Sequence, residues 1–175
     1  MSSETVARHI RYFNESFLIT EALRYDVKGR KYIGTETKYY FTDIGLRNSI
    51  LGFRQIEETH IMENVLYNEL KYRGYNVDVG MVEIMERNAD GKQERKRLEV
   101  DFVANQGSKR YYIQSALRME DDDKVRQEKK SLINIPDSFK KIIVVKDRIT
   151  SYHDYDGILR VGLFDFLLNP DSLDL

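Results

Sequence analysis

The chain has no cysteine and no long hydrophobic segment, and these two absences exclude several classes of protein. Without cysteine among 175 residues, it has no disulfide, no cysteine-bound zinc and no thiol nucleophile. No apolar run approaches the ~20 residues of a transmembrane helix, and residues 1–5 lack the basic and apolar regions of a signal peptide. We therefore expect a cytoplasmic protein with no membrane partner.

Motifs for nucleotides and for zinc are also missing. The sequence contains neither GxxxxGK[ST], which forms a phosphate-binding P-loop, nor GxGxxG at a strand–helix junction. His9, His60 and His153 are scattered and form no HExxH or HxH pair, so zinc is not expected. ATP would have to be bound by a P-loop domain absent from this chain.

The composition is that of a soluble globular protein, with 41% hydrophobic and 33% charged residues. The length allows one domain, or one domain with a smaller appendage. A net charge of -1 gives no overall attraction to nucleic acid, so any DNA-binding surface must be a local patch. The basic run at 95–97, with Lys92 nearby, is a candidate, and a solvated strand edge is the alternative explanation.

Two regions are predicted along the chain. Within residues 1–48, the pattern predicts a helix to about Asn14 followed by a basic β-hairpin. This arrangement is typical of the end of a winged helix, although many α+β proteins share it. Residues 43–58 are predicted to be a connector. In the second region, 59–175, Thr59 is the expected N-cap of a helix ended by Gly74. From Thr59 onward, this helix included, the order α-β-β-β-α-β predicts an α/β (α+β) fold with a mixed sheet and helices packed on it.

A predicted hairpin at 99–116 carries the most informative pattern. Alternation places Glu99 and Asp101 on one face of its first strand, and Tyr112, Gln114 and Ala116 on one face of its second. A carboxylate beside a Glu or Gln, with a lysine two residues further on, is how a metal-dependent nuclease holds Mg²⁺ and activates water. The lysine position here holds alanine.

Glu63, on the preceding helix, completes the candidate catalytic set with Asp101 and Gln114. Hard carboxylate oxygens suit Mg²⁺, so Asp101 and Glu63 are the candidate metal ligands, with Mg²⁺ the only cofactor considered for this chain. Gln114 offers a neutral and weaker oxygen. In the alternative interpretation, Asp101 pairs with a neighbouring cation and Gln114 satisfies a polar part of the core.

Several segments run in the same order as in one known family: 18–30, 38–47, 63–75, 98–103 and 111–116. On these motifs the chain resembles the C-terminal region of prokaryotic AAA-type ATPases that carry a DUF4143 domain. The resemblance implies a P-loop ATPase domain first, then a winged helix, then a domain similar to the PD-(D/E)XK nuclease superfamily. It also implies that this chain is a fragment of a longer ATPase.

The resemblance assigns roles residue by residue. Glu63, eleven positions before Gly74, matches the helix acid of the superfamily, and Asp101 matches its strand acid. Gln114 matches the Glu or Gln of the (D/E/Q)xK element, and Ala116 stands where its lysine should be. The missing lysine argues against hydrolysis.

Three functions follow as expectations. The first is a catalytically degenerate nuclease-fold module that serves its parent ATPase in binding or assembly, with the ATPase domain as partner. The second is a Mg²⁺-dependent DNA endonuclease in which Arg118 or Lys124 replaces the missing lysine. The third is a DNA-binding regulatory module that acts through the hairpin at 17–42. The sequence predicts no oligomeric state.

Overall fold

The computed structural model describes residues 2–54, 57–88, 90–117 and 122–175. The helices in these ranges are α1 (Ser3–Glu15), α2 (Ile44–Ile50), α3 (Glu58–Tyr72), α4 (Asp122–Ile133) and α5 (Leu163–Leu168). The strands are β1 (Ile19–Asp26), β2 (Lys31–Phe41), β3 (Asn76–Arg87), β4 (Gln93–Gln106), β5 (Lys109–Ala116), β6 (Lys140–Val145), β7 (Tyr152–His153) and β8 (Leu159–Gly162). None of the helices described is both long enough and apolar enough to cross a membrane.

All eight strands form one sheet in the order β2-β1-β3-β4-β5-β6-β8-β7. The pairs β1–β3, β5–β6 and β6–β8 are parallel, and the remaining neighbours are antiparallel. The sheet is therefore mixed, as the order of elements from residue 59 predicted. The coarse expectation of an α/β protein built on a mixed sheet is confirmed.

Helices cover both faces of this sheet. On the face that we call the α3 face, Leu66 of α3 and Phe166 of α5 are buried in one core with Phe102 of β4. On the opposite face, which we call the α4 face, Leu132 of α4 is buried in a second core with Val100 of β4. Burial on both faces explains why the central strands carry long apolar runs.

The N-terminal helix and hairpin expected from the sequence are present. Helix α1 starts after Ser2, whose side chain accepts a hydrogen bond from Thr5 N, and β1 and β2 pair as an antiparallel hairpin. The hairpin belongs to the main sheet because residues 24–26 of β1 pair in parallel with 79–81 of β3. The domain boundary at residue 48 and the winged-helix interpretation of this segment stay predictions.

Two local predictions were wrong. The expected connector contains α2, whose N-cap Asp43 accepts a hydrogen bond from Leu46 N at 2.8 Å. This short helix buries none of its side chains, so it lacks the apolar periodicity that reveals a helix in sequence. Helix α3 begins at Glu58, with Glu57 and not Thr59 at the N-cap position. Its end is as predicted, since Gly74 adopts a φ of 84° just after the C-cap.

A β-bulge in β4 shapes the centre of the sheet. Asp78 pairs with Val103 but Gly80 pairs with Val100, so β4 has one more residue than β3 over this stretch. A Cβ at Gly80 would lie 2.9 Å from Val100 Cβ and from Val103 Cγ2, which explains why a glycine stands there. The bulge contains Asp101.

Candidate functional site

The helix acid Glu63 faces the N-terminal hairpin. It lies on the buried side of α3, with 9% of the residue exposed, and its Oε1 accepts hydrogen bonds from Lys38 Nζ at 2.8 Å and Tyr40 OH at 2.6 Å. Lys38 and Tyr40 are two residues apart on β2, so their side chains share one face of the sheet. The chain itself thus supplies the cation that balances this buried carboxylate.

The same lysine also pairs with the first acid of the central hairpin. Lys38 Nζ lies 2.6 Å from Glu99 Oε1, and Arg24 Nη1 lies 2.6 Å from Glu99 Oε2. Partial burial opposes ionisation of Glu99, but the hydrogen bonds from Lys38 and Arg24 outweigh it and lower the pKa of that carboxyl. Burial also opposes the charge of Lys38, and the two glutamates reverse this and raise its pKa. Lys38 therefore stays protonated at neutral pH.

Asp101 lies deeper, with 7% of the residue exposed. Its Oδ2 accepts hydrogen bonds from Ser115 N and Ser115 Oγ, both at 2.7 Å. Burial and then the charge of Glu63 raise the pKa of Asp101 to about 7, against the opposing effect of the Ser115 hydrogen bonds and of Lys38. We call Arg24, Lys38, Glu63, Glu99 and Asp101 the charged cluster.

Gln114 joins the strand acid to α4. Its Nε2 lies 3.2 Å from Asp101 Oδ1 and 3.4 Å from Glu128 Oε2, and its Oε1 lies 3.4 Å from Ser131 Oγ. Ala116 is buried in the core of the α4 face. The structure thus places Asp101 against Gln114 and under the electrostatic influence of Glu63, while the position expected for lysine lies in an apolar core.

Sequence reasoning missed Arg24, Lys38 and Tyr40 because it placed them in a separate N-terminal segment. One signal was available: Lys38 and Tyr40 alternate onto one face of a strand. Their position beside Glu63 depends on the pairing of β1 with β3, which joins distant parts of the chain. Of the cations proposed earlier, Arg118 lies outside the described residues, and only the helical backbone of Lys124 is described.

The candidate metal ligands are held by protein donors. Within the part of the chain that the structure describes, no group of three or more histidine, cysteine, aspartate or glutamate side chains could hold a metal ion. The ammonium of Lys38 lies between Glu63 and Glu99, and one oxygen of Asp101 already accepts two hydrogen bonds from Ser115. Mg²⁺ requires several oxygen ligands in near-octahedral geometry, so binding here would require Glu63 and Asp101 to exchange these protein donors for the metal.

Comparisons with known proteins give two matches. A family model described as "Domain of unknown function (DUF8612)" matches residues 1–57, which include the hairpin that carries Lys38. A protein of Haemophilus influenzae, described as "Uncharacterized protein", is 30% identical over 167 residues. The match covers 95% of this chain but 38% of the relative, so the chain spans about two fifths of that protein. No solved structure matches.

Proposed function

We propose that the chain is the C-terminal nuclease-fold module of a prokaryotic AAA-type ATPase, used in binding or assembly and not in phosphodiester hydrolysis. The order of the motifs at 18–30, 63–75, 98–103 and 111–116 supports this assignment. The α-β-β-β-α-β order of α3 to β6 in a mixed sheet is compatible with a PD-(D/E)XK-like core. The proposed partner is the ATPase domain of the parent chain.

The observation that carries the proposal is the position of Lys38. Its ammonium contacts Glu63 at 2.8 Å and Glu99 at 2.6 Å, so a protein cation lies against Glu63, the helix acid that in a metal-dependent nuclease would face Mg²⁺. Lys38 balances the charge of these carboxylates without a bound metal, and it links β2 to α3 and β4. The carboxylates then act as structural groups.

Hydrolysis also needs a group that activates water. Lys38 cannot act as a base at neutral pH because its pKa is raised by Glu63 and Glu99 against the effect of burial. Ala116 has no proton-transfer group. Ser115, the neighbouring polar residue on β5, is engaged with Asp101 through both its amide and its hydroxyl.

One observation favours the alternative of a Mg²⁺-dependent endonuclease. The alternative requires a cation other than the missing motif lysine, and Lys38 Nζ lies 2.8 Å from the helix acid Glu63. In that function Lys38 would stabilise developing negative charge, and Glu63 would have to exchange its ion pair for a metal. The experiment below separates the two functions.

The test is a nicking assay on supercoiled plasmid with Mg²⁺ or Mn²⁺, together with calorimetric titration of either ion into the protein. The proposal predicts no nicking above the level of Asp101→Ala and no saturable metal binding. The control variant is Asp165→Ala, which removes an exposed acid of α5. Metal binding and nicking that disappear in Asp101→Ala but persist in Asp165→Ala would establish the endonuclease instead.

A further inference from the structure

Two basic segments that are far apart in sequence meet at one cleft. Its volume is about 510 Å³, and its lining includes residues of four strands: Asp26 of β1, Lys31 of β2, Met81 and Glu83 of β3, and Arg95 and Arg97 of β4. We call it the basic cleft. It adjoins the charged cluster, because Arg24 Nη1 contacts both Met81 Sδ at 2.9 Å and Glu99 Oε2 at 2.6 Å.

Because side chains alternate along a strand, Arg95 and Arg97 of β4 lie on one face of the sheet and Lys96 lies on the other. Arg95 and Arg97 both pair with Glu83, whereas Lys96 between them pairs with Glu86. The turn after β1 adds a further cation, since Lys28 Nζ donates to the carbonyl oxygen of Glu83 at 2.7 Å. Basic side chains of β2 and β4 therefore line a cleft that also contains the carboxylates of Asp26 and Glu83, with Lys28 bound to the backbone of Glu83.

The ion pairs in the cleft are exchangeable. A single carboxylate, Glu83, serves Arg95 at 3.0 Å and Arg97 at 3.9 Å, and the two arginine side chains are 69% and 62% exposed. Exposed pairs of this kind contribute little to stability. Guanidinium groups bind phosphate in a bidentate manner, so a phosphate can replace Glu83 as their partner at small cost.

We propose that the basic cleft binds the sugar–phosphate backbone of a nucleic acid. Arg95 and Arg97 lie about 7 Å apart along an extended strand, a spacing that suits successive phosphates, and Lys31 and Lys28 provide further positive charge. The net charge of -1 for the whole chain makes this attraction local. The inference deepens the binding function proposed above and rests on it, since it takes the chain as a protein that binds without cleaving.

A second groove, on the α4 face, also contains lysines, but they are held by structural pairs. Lys129 contacts Asp154 at 2.8 Å and Asp156 at 2.5 Å, with 11% of its side chain exposed. Lys130 contacts Glu86 at 2.6 Å. These contacts fix α4 to β3 and to the turn at 154–157, so the buried Lys129 is less available to a phosphate than the exposed Arg95 and Arg97 of the basic cleft.

The experiment measures fluorescence anisotropy of a labelled 20-base-pair DNA duplex, without divalent metal, over a series of salt concentrations. The test variant is Arg95→Ala/Arg97→Ala, and single variants Arg97→Ala and Lys96→Ala form a charge-matched comparison on the two faces of β4. We expect the double variant to bind about tenfold or more weakly and to reduce the slope of log K against log salt by about 2. Lys96→Ala should change affinity less than about twofold, and melting curves check that every variant is folded.

Each outcome bears on the proposal. Absence of binding at low salt, or equal losses in Arg97→Ala and Lys96→Ala, overturns it. Polyglutamate that competes as well as DNA at equal charge also overturns it and indicates an acidic protein partner. The same duplex run on a denaturing gel with Mg²⁺ reports cleavage separately, so a failure of the non-catalytic function is distinguishable from a failure of the cleft to bind.

Discussion

The charged cluster and the basic cleft lie side by side on the α3 face and use the same residue types, yet their ion pairs differ in kind. In the cluster, Lys38 joins two carboxylates, with side-chain exposures of 27% for the lysine and 12% for Glu63. In the cleft, Arg95 and Arg97 share Glu83 at more than half exposure. The buried ion pairs of the charged cluster hold helices and strands together. The exposed ion pairs of the basic cleft leave its arginines available to a ligand.

The strongest way to break this comparison is Lys38→Met. The substitution leaves Glu63 without its cation in a buried position, and we expect a loss of about 3 kcal/mol in the free energy of unfolding, measured by urea denaturation at pH 7.5. Lys31→Met, an exposed lysine of the same strand, is the matched control and should change stability by less than about 0.5 kcal/mol. Equal and small losses in both variants would show that the cluster does not hold β2 to α3.

The next test uses pH. Burial raises the pKa of Asp101 to about 7, whereas an unfolded aspartate has a pKa of about 3.9. The folded state therefore holds a proton that the unfolded chain has lost, and the stability that Asp101 contributes is complete below about pH 4 and lost as the pH rises through about 7.

Asp101→Asn removes this dependence. The difference in the free energy of unfolding between the variant and the unmodified protein should shift by about 2 kcal/mol in favour of the variant as the pH rises from 5 to 8. Denaturation at each pH measures this difference. Asp165→Asn, at an exposed site, should show the same difference from the parent at both pH values. A constant difference for Asp101→Asn as well would contradict the raised pKa.

A smaller effect is expected for Tyr40→Phe. Loss of the hydroxyl that donates to Glu63 at 2.6 Å should cost about 1 kcal/mol. The neighbouring Tyr39 is 40% exposed, and Tyr39→Phe should be neutral within about 0.3 kcal/mol. Thermal or chemical denaturation of the pair compares the two sides of β2 directly, and a loss as large in Tyr39→Phe would rule out a special role for the Glu63 contact.

The smallest change in stability is expected in the basic cleft. Glu83→Gln removes a carboxylate from exposed ion pairs, so the free energy of unfolding should stay within about 0.5 kcal/mol. The affinity for a DNA duplex should rise about threefold because two arginines lose their competing partner. Glu86→Gln, which affects Lys96 and Lys130 instead, is the control and should leave duplex affinity unchanged in the anisotropy assay.

Local features of the fold followed from sequence. The hairpin of β4 and β5 and the end of α3 at Gly74 were predicted from patterns of neighbouring residues, and both are present. Helix α2 was missed because it buries no side chain. The bulge at Asp101 was missed because strand alternation assumes a regular strand, and the register shift opposite Gly80 appears only in the pairing with β3.

The candidate site was predictable only in part. Glu63, Asp101 and Gln114 were selected from spacing and resemblance, and the structure places Gln114 against Asp101, whose pKa is raised in part by the charge of Glu63. Their catalytic and metal-binding roles stay predictions. The partner Lys38 could not be assigned from sequence, because a parallel pairing between distant segments brings β2 to the site. The same long-range pairing brings Lys31 to the cleft that Arg95 and Arg97 also line.

The attachment of the N-terminal hairpin has a consequence for how the molecule opens. Only residues 24–26 of β1 pair with 79–81 of β3, whereas β3 pairs with β4 over 76–87. Segments joined by short pairings open in sub-global unfolding events at lower free energy than the rest of a protein. Amide hydrogens of β2 should then exchange before those of β4, and each opening would withdraw Lys38 and expose Glu63 to water. We expect these openings to be the events in which the acidic residues beneath the hairpin meet the solvent.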